Sequence, residues 1–200
     1  LFQNPATGKL WVGTSDGLAY LDPQNRQLLP FQLPIPARNT LIRHFYQNEE
    51  GIWIASSKGL FLMDSRAEVI LRHYSVADGL PNDNLNHLHE DADGIFWLAS
   101  RGGGLIRWNR QKNTFRQFTR EDGLSDNTIY AVYEGPASYP GGNLWLTSNH
   151  GLMRFDKNAQ NVRVYLPQHG IAHEEFNTFS HFQAEDGALY FGGLNGLTQF

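Results

Sequence analysis

An aromatic residue opens the same short phrase five times along this 200-residue chain, at intervals of 42 to 48 residues. The phrase begins at Trp11, Trp53, Trp97, Trp145 and Tyr190, and each copy ends in Gly-Leu. A period of this length is typical of repeat proteins, in which each repeat is one supersecondary unit that buries its apolar faces against its neighbours. The chain is therefore expected to fold as about five copies of one unit.

A second phrase lies upstream of the aromatic phrase in three of the repeats. Its copies are Asp78-Gly-Leu80, Asp122-Gly-Leu124 and the looser His169-Gly-Ile171. In each copy an apolar residue follows the glycine six positions later, namely Leu85, Ile129 and Phe176. Because both phrases keep the same register, chance does not explain them, and the repeat extends beyond one short motif.

Each repeat divides into four short strands separated by turn residues. In the third repeat we predict strands at 85–90, 95–100, 105–109 and 114–118, with a turn at Asp91-Ala-Asp-Gly94. Short runs that are rich in aromatic and branched residues and bounded by Gly, Asn and Asp are typical of antiparallel hairpins. No stretch of the sequence has a convincing helical period.

The second strand of each repeat is apolar on both faces, as in Leu144-Trp-Leu146, so both faces of its sheet must be covered. Four-stranded sheets that pack face to face around an axis meet this requirement. We predict an all-β fold, a β-propeller of four-stranded antiparallel blades. About 4.5 blades are expected, as part of a larger seven-bladed propeller. Residues 1–200 are expected to form a single propeller segment, with blade units near 1–34, 35–78, 79–122, 123–168 and 169–200.

Three recurring positions are assigned to the scaffold. The glycine before each Leu suits a tight turn with positive φ. A short polar residue at the end of the third strand can bond the backbone and start the next turn, as expected for Asp22, Asp64, Asn109 and Asp156. The small residue two places after each aromatic suits the close approach of a neighbouring blade, at Gly13, Ala55, Ala99, Thr147 and Gly192.

Two of these phrases resemble a known family. Gly8-Lys-Leu-Trp-Val-Gly-Thr14 and Asp78-Gly-Leu-Pro-Asn82 look like the two-component regulator propeller repeat, and the resemblance covers nearly the whole chain. It implies the periplasmic, extracytoplasmic sensor region of a hybrid two-component sensor histidine kinase, or in some bacteria of a sensor diguanylate cyclase. The parent would be anchored in the inner membrane.

The last repeat is similar to the final repeat of such sensors. Glu175-Phe-Asn177 followed by residues 186–197 has that pattern, which precedes an immunoglobulin-like domain and then a membrane span. The first blade would lack most of its inner strand and the last blade its outer strand. We therefore expect the chain to be the C-terminal part of a larger propeller, with a self-closed five-bladed ring as the alternative.

Composition limits the partners and the chemistry. The net charge of −4 argues against a nucleic-acid surface, where Lys and Arg would cluster. The absence of cysteine excludes disulfides and thiolate zinc sites, and fits periplasm and cytosol equally. With 40% hydrophobic residues and no run of about 18 apolar residues, the segment is globular and contains no membrane span.

Three histidine or acidic groups are candidate sites, each with a simpler alternative. His87 and His89 alternate on one inner strand, and His44 occupies the position of His87 in the preceding repeat, so they either meet a ligand or metal or face channel water. Residues 90–94 resemble the opening of a calcium loop without its distal Glu, or form a hairpin turn. Residues 169–175 pair imidazoles with carboxylates as an acid-base site would, or form an inter-blade loop. We predict no metal site and no cofactor.

The variable loops on one face of the blades are the preferred place for ligand contacts. The connection into each inner strand and the turn between the second and third strands emerge on that face, and Tyr130 and Trp108 are candidates for a stacking surface, with a core position as the alternative for Trp108. The candidate ligand-binding residues are Lys58, Asp83, Asn84, Arg101, Asn127, His150, His173 and Glu175. The same face is expected to carry Asp16, Arg38, Asn39, Asn82, Asp126, Asn149, Glu174 and Asn195.

The polar loops of this face suit hydrogen bonding to a sugar. The family resemblance implies a ligand-sensing segment without catalytic residues, which recognises a carbohydrate or oligosaccharide and signals across the membrane. Its partners would be the remaining blades and the Ig-like domain of the parent, with a homodimer also possible. One alternative is a propeller lyase or hydrolase acting on a glycan or cyclic peptide, similar to streptogramin lyases. Another is a protein-interaction propeller. The insertion at residues 135–142 is either a docking element or a tolerated surface loop.

Overall fold

The computed structural model describes residues 1–135 and 142–199, which form five antiparallel β-sheets. The chain divides into two compact units, Leu1–Leu85 and Asn86–Phe200. In every sheet each strand pairs with its neighbour in sequence, which is the arrangement of a propeller blade. The predicted all-β fold of antiparallel propeller blades is confirmed, while the seven-bladed parent stays a prediction.

The first unit contains two four-stranded sheets. The first sheet consists of β1 (Phe2–Gln3), β2 (Leu10–Thr14), β3 (Gly17–Leu21) and β4 (Leu28–Phe31). The second sheet consists of β5 (Ile42–Asn48), β6 (Gly51–Ser56), β7 (Gly59–Met63) and β8 (Ile70–Tyr74), followed by a 3-10 turn at Val76–Asp78. The first strand of this sheet, β1, is two residues long.

The second unit contains three sheets. Two are four-stranded, with β9 (Leu85–Glu90), β10 (Ile95–Ser100), β11 (Leu105–Asn109) and β12 (Thr114–Phe118), then β13 (Ile129–Glu134), β14 (Asn143–Ser148), β15 (Leu152–Asp156) and β16 (Val162–Tyr165). The last has three described strands, β17 (Phe176–Gln183), β18 (Leu189–Gly193) and β19 (Gly196–Gln199). All four strands predicted for the third repeat are confirmed. Two 3-10 turns, Arg120–Asp122 and Pro167–His169, connect the sheets.

The second strands β6, β10 and β14 lie in the core, as their apolar character on both faces predicted, whereas in β2 only Trp11 is buried. Every residue of β6 and β10 is buried. The opening tryptophans Trp11, Trp53, Trp97 and Trp145 are among the largest fully buried side chains. In the second unit β10 packs against β13 and β13 against β17, so that neighbouring sheets share one apolar layer. No helix in the described residues is long and apolar enough to cross a bilayer.

The repeated glycine before each Leu has positive φ in every repeat, as predicted, at Gly17, Gly59, Gly104, Gly151 and Gly196. A Cβ at Gly104 would collide with the carbonyl oxygen of Phe118 at the end of β12. The prediction of close blade approach is confirmed at Gly13, where a Cβ would lie 2.8 Å from Cγ2 of Ile42 on β5. At Gly192 the close neighbour is instead Ser180 of the same sheet.

The polar residues at the ends of the third strands organise the following turns, as predicted. The Asp64 carboxylate accepts the backbone N–H groups of Arg66 at 2.8 Å and Ala67 at 2.6 Å. Asp22, Asn109 and Asp156 make equivalent bonds two or three residues ahead. Residues 136–141 of the insertion lie outside the described residues.

Candidate functional site

Loops of the first unit line an open cavity of 360 Å³ beside its second sheet, which we term the Arg38–Lys58 pocket. The β4–β5 connection, the β6–β7 turn, β8 and the β8–β9 connection all contribute to it. Its lining residues are Ile35, Pro36, Arg38, Lys58, His73, Ser75 and Asp83. The structure therefore brings two predicted site residues, Lys58 and Asp83, to one cavity.

Backbone hydrogen bonds hold the walls of this pocket. The Lys58 N–H donates to Ser56 Oγ at 3.0 Å, and the Lys58 carbonyl lies 2.7 Å from Nε2 of His73. The imidazole of His73 stacks on the buried ring of Phe61, with centroids 4.3 Å apart. These contacts fix the backbone of Lys58 and the ring of His73 and leave the Lys58 side chain exposed.

Asp83 and Asn127 hold equivalent turns in two repeats, a role that sequence reasoning missed. The Asp83 carboxylate accepts the N–H of Val76 at 2.6 Å, and its carbonyl accepts the N–H of Gly59 at 2.7 Å. The Asn127 amide oxygen accepts the N–H of Arg120 at 2.8 Å, and its carbonyl accepts from Gly104. Each of the two residues lies seven positions after the residue whose N–H group its side chain accepts. This shared spacing is the sequence signal that could have indicated the role.

Two predicted site residues, Asn84 and Asn127, do not line the Arg38–Lys58 pocket. The amide oxygen of Asn84 accepts a hydrogen bond from the guanidinium of Arg43 at 2.7 Å, which directs this side chain towards β5. Asn127 borders a separate cavity of 510 Å³ with Thr119, Arg120 and Glu121.

In the second unit, loop residues gather around the hydroxyl of Tyr130, and we term Arg101, Asp126, Tyr130, Asn149 and Glu175 the Tyr130 cluster. The hydroxyl donates to Oδ1 of Asn149. Burial raises the pKa of Tyr130, as do the carboxylates of Glu175 and Asp126, whereas the charge of Arg101 lowers it. The cluster therefore combines one cation, two carboxylates and an amide within electrostatic reach of the Tyr130 hydroxyl.

The remaining predicted residues of the second unit lie on adjacent loops. Nδ1 of His150 is 3.6 Å from Oε2 of Glu174, and both side chains are about half exposed. Nδ1 of His173 accepts the N–H of Glu175 at 3.0 Å, so His173 shapes the backbone that carries Glu175. Residues 169–175 run from the end of the 3-10 turn Pro167–His169 to the start of β17, which is the inter-blade loop alternative.

The two aromatic candidates are largely inside the protein. Trp108 is 2% exposed and stacks on Phe115 with a centroid distance of 5.1 Å, which is the core alternative. Tyr130 is 7% exposed and belongs to the apolar cluster that includes Trp145 and Phe191. Tyr130 therefore offers a ligand its hydroxyl edge rather than a stacking face.

The inner strands of the second unit bring together three aromatic groups, of which the sequence had indicated only His87. The Tyr133 hydroxyl lies 2.7 Å from Nδ1 of His181, and the His87 ring lies 4.8 Å from that of His181. Burial raises the pKa of Tyr133 and lowers that of His181 to about 4. His181 was missed because the register of β17 shifts between Phe176 and His181, which breaks the simple alternation of side chains.

The side chain of His89 lies beside an ionic network formed by Glu134, Lys157 and Asp91. Its Nε2 lies 3.7 Å from Oε2 of Glu134, and Lys157 Nζ lies 2.7 Å from Oε1 of Glu134 and 3.3 Å from Oδ2 of Asp91. Asp91 also accepts the indole N–H of Trp97 at 2.8 Å. This carboxylate thus supports the hairpin turn at residues 91–94, which is the alternative to a calcium loop. Among the described residues, no group of three or more His, Cys, Asp or Glu side chains could hold a metal ion.

We expect His181 to make stability sensitive to mild acid. Its folded pKa of about 4 lies below the 6.5 of the unfolded chain, so the unfolded state binds a proton that the folded state does not. Stability is therefore lost as pH falls from about 6.5 towards 4, and at pH 5 the loss from this residue is about 2 kcal/mol. Urea unfolding at pH 7.5 and 5.0 measures it.

His181→Gln keeps a hydrogen-bond acceptor for Tyr133 and removes the titrating imidazole. The free energy of unfolding that this variant loses between pH 7.5 and 5.0 should therefore be smaller than the loss in the parent. His150→Gln, at an exposed histidine of the same unit, should behave like the parent. Equal losses in the parent and in His181→Gln would contradict the assignment.

Comparisons with known proteins agree with this architecture. No protein-family model matches the chain. It is 24% identical over 162 residues to histidine kinase P4 of Formosa agariphila, which covers 78% of this chain and 11% of that protein. The chain therefore spans about a tenth of the length of this curated relative.

Two solved structures share the fold. The extracellular domain assigned to the hybrid two component system BT4673 of B. thetaiotaomicron superposes with a TM-score of 0.79 at 20% identity, over 100% of this chain and 28% of that one. Virginiamycin B lyase from Staphylococcus aureus superposes with a TM-score of 0.63 at 15% identity, over 96% of this chain and 66% of that one. The chain has propeller-repeat character and is similar to extracellular domains of two-component systems and to a histidine kinase.

Proposed function

We propose that this chain is a non-catalytic, ligand-sensing propeller segment from the periplasmic region of a hybrid two-component sensor, and that its ligand is an oligosaccharide. Ligand binding would cause a rearrangement that is transmitted through the remaining blades of a seven-bladed propeller and an Ig-like domain, across the membrane, to a histidine kinase. The similarity to an extracellular sensor domain and to a histidine kinase supports the sensor part of this proposal.

The observation that carries the proposal is the Tyr130 cluster. Sugars present many hydroxyl groups, each of which both donates and accepts hydrogen bonds. The cluster offers donors on Arg101 and Asn149 and acceptors on Asp126 and Glu175, arranged on loops that a rigid β scaffold positions. The aromatic core beneath Tyr130 holds the hydroxyl in place, which reduces the entropy lost on binding.

Isothermal titration calorimetry of the chain with a panel of neutral and acidic oligosaccharides tests this proposal. We expect saturable binding of at least one glycan, and a loss of about tenfold or more in affinity for Asn149→Ala and for Arg101→Gln, because each removes a polar contact to the ligand. Lys112→Gln is the matched control, since Lys112 is exposed at the β11–β12 turn, the opposite end of the sheet from Arg101. No binding to any glycan, or equal losses in the control, would contradict the proposal.

A propeller lyase is the second candidate function. The specific observation in its favour is the buried Tyr133–His181 pair, in which a neutral imidazole accepts a hydrogen bond from a phenol, together with the likeness to virginiamycin B lyase. Chromatography of each glycan after incubation with the chain separates the two functions. Cleavage that is lost in His181→Gln would support the lyase and contradict the sensor, whereas binding without cleavage would support the sensor.

A further inference from the structure

We infer that the Arg38–Lys58 pocket binds the carboxylate of an acidic sugar, a uronate residue of the ligand. This inference rests on the proposed function and names the chemistry of one binding position in the first unit. A cavity of 360 Å³ lies within the range typical of small-ligand sites.

The charges around the pocket favour an anion. Arg38 and Lys58 are exposed cations, and no ion pair within residues 1–135 or 142–199 involves either of them. Asp83 supplies the single carboxylate of the lining, and its Oδ1 accepts the N–H of Val76 at 2.6 Å. The Ser75 hydroxyl donates to Asp78 at 2.8 Å. Among the lining residues two cations therefore face the one carboxylate of Asp83, and the Asp78 carboxylate lies next to the pocket, bonded to Ser75.

The geometry of the two cations and the apolar wall of the pocket favour a carboxylate on a sugar ring. The planar guanidinium of Arg38 can donate two parallel hydrogen bonds to a carboxylate, and Lys58 adds a point charge. Ile35 and Pro36 provide an apolar wall on the β4–β5 connection. A pyranose ring has an apolar C–H face that packs on such a wall while its substituents make polar contacts.

The loop that carries Arg38 is held by hydrogen bonds to its backbone. The buried Thr40 donates from its hydroxyl to the Pro36 carbonyl at 2.8 Å and from its N–H to the Ala37 carbonyl at 2.9 Å. The Ser57 hydroxyl donates to the carbonyl of Asn39 at 3.2 Å. Binding therefore orders only the Arg38 and Lys58 side chains, which keeps its entropic cost small.

The cavity at the next connection along the chain has a different charge pattern. It is lined by Thr119, Arg120, Glu121 and Asn127, which include one cation and one carboxylate. The lining of the Arg38–Lys58 pocket includes two cations and one carboxylate.

The test compares acidic oligosaccharides with their uncharged esters and with a sulfated oligosaccharide. The full chain is titrated with oligoglucuronate and oligogalacturonate, with their methyl esters, which keep the sugar backbone and lose the charge, and with a sulfated galactan oligosaccharide. We expect at least one oligouronate to bind at least about tenfold more tightly than its ester, with an affinity that falls as salt rises.

Variants of the pocket complete the test. Arg38→Gln and Lys58→Gln should each weaken oligouronate binding by about tenfold or more. Arg66→Gln, which removes an exposed cation at the β7–β8 turn at the other end of the sheet, should bind like the parent. Circular dichroism of each variant confirms that it is folded.

Each outcome bears on the inference. Weaker binding in both pocket variants and not in Arg66→Gln supports it. Binding of neutral glycans or esters without preference for the acids, or a preference for the sulfated galactan alone, overturns it and leaves the proposed function standing. An absence of binding to every glycan overturns both.

Discussion

Trp97→Ala is expected to lower the free energy of unfolding by about 4 kcal/mol, because it empties the centre of an apolar cluster. Trp97 is 1% exposed and its ring lies 5.7 Å from Phe155 and 6.3 Å from Phe118, centroid to centroid. These two partners belong to the core of the second unit, so removal of the indole leaves a cavity between sheets. Urea unfolding followed by circular dichroism measures the loss.

A matched variant separates packing from hydrogen bonding at this position. Trp97→Phe keeps an aromatic ring and removes the indole N–H that donates to Oδ2 of Asp91 at 2.8 Å. We expect a smaller loss than for alanine, about 2 kcal/mol, since Lys157 still contacts the same carboxylate. If Trp97→Ala costs no more than Trp97→Phe, burial of the ring is not the main contribution of this residue.

Gly104→Ala is expected to destabilise the chain by roughly 3 kcal/mol, since the new methyl group meets two separate obstacles. The residue has φ of +72°, a left-handed conformation that alanine adopts at a cost. Its Cβ would also collide with the Phe118 carbonyl oxygen, while the Gly104 N–H is held by the carbonyl of Asn127 at 2.7 Å. The β10–β11 turn therefore cannot move away without breaking a backbone hydrogen bond.

Gly123→Ala is the control for the backbone conformation alone. Gly123 has φ of +97°, and a Cβ there would meet nothing within 4 Å. Its substitution should cost about 1 kcal/mol, the conformational part of the effect. Equal losses at the two glycines, measured by the same urea unfolding, would show that the contact with Phe118 contributes nothing.

Much of the scaffold could be predicted because each blade repeats local rules. The strands of the third repeat were predicted at their observed bounds, since apolar runs and turn residues mark both ends of each. The turn roles of Asp64 and its equivalents were predictable for the same reason. They depend on hydrogen bonds to N–H groups two or three residues ahead, which sequence spacing specifies.

The candidate site was less predictable. The sequence placed Lys58 and Asp83 on one face, and the structure puts both on one cavity. It did not indicate that His73, on β8, forms part of that cavity, or that Asn84 is held by Arg43. Those contacts join residues from different strands, so no local spacing encodes them.

The sequence by itself determined the repeat, the four-stranded blade, the turn positions and the loops that vary on a constant scaffold, because all of these follow from short-range periodicity. Only the tertiary structure decided which side chains on those loops meet. The Tyr130 cluster joins four different loops, and His181 reaches Tyr133 through an irregular register in β17. Such contacts depend on packing distances between strands, and a single sequence states residue order but not those distances.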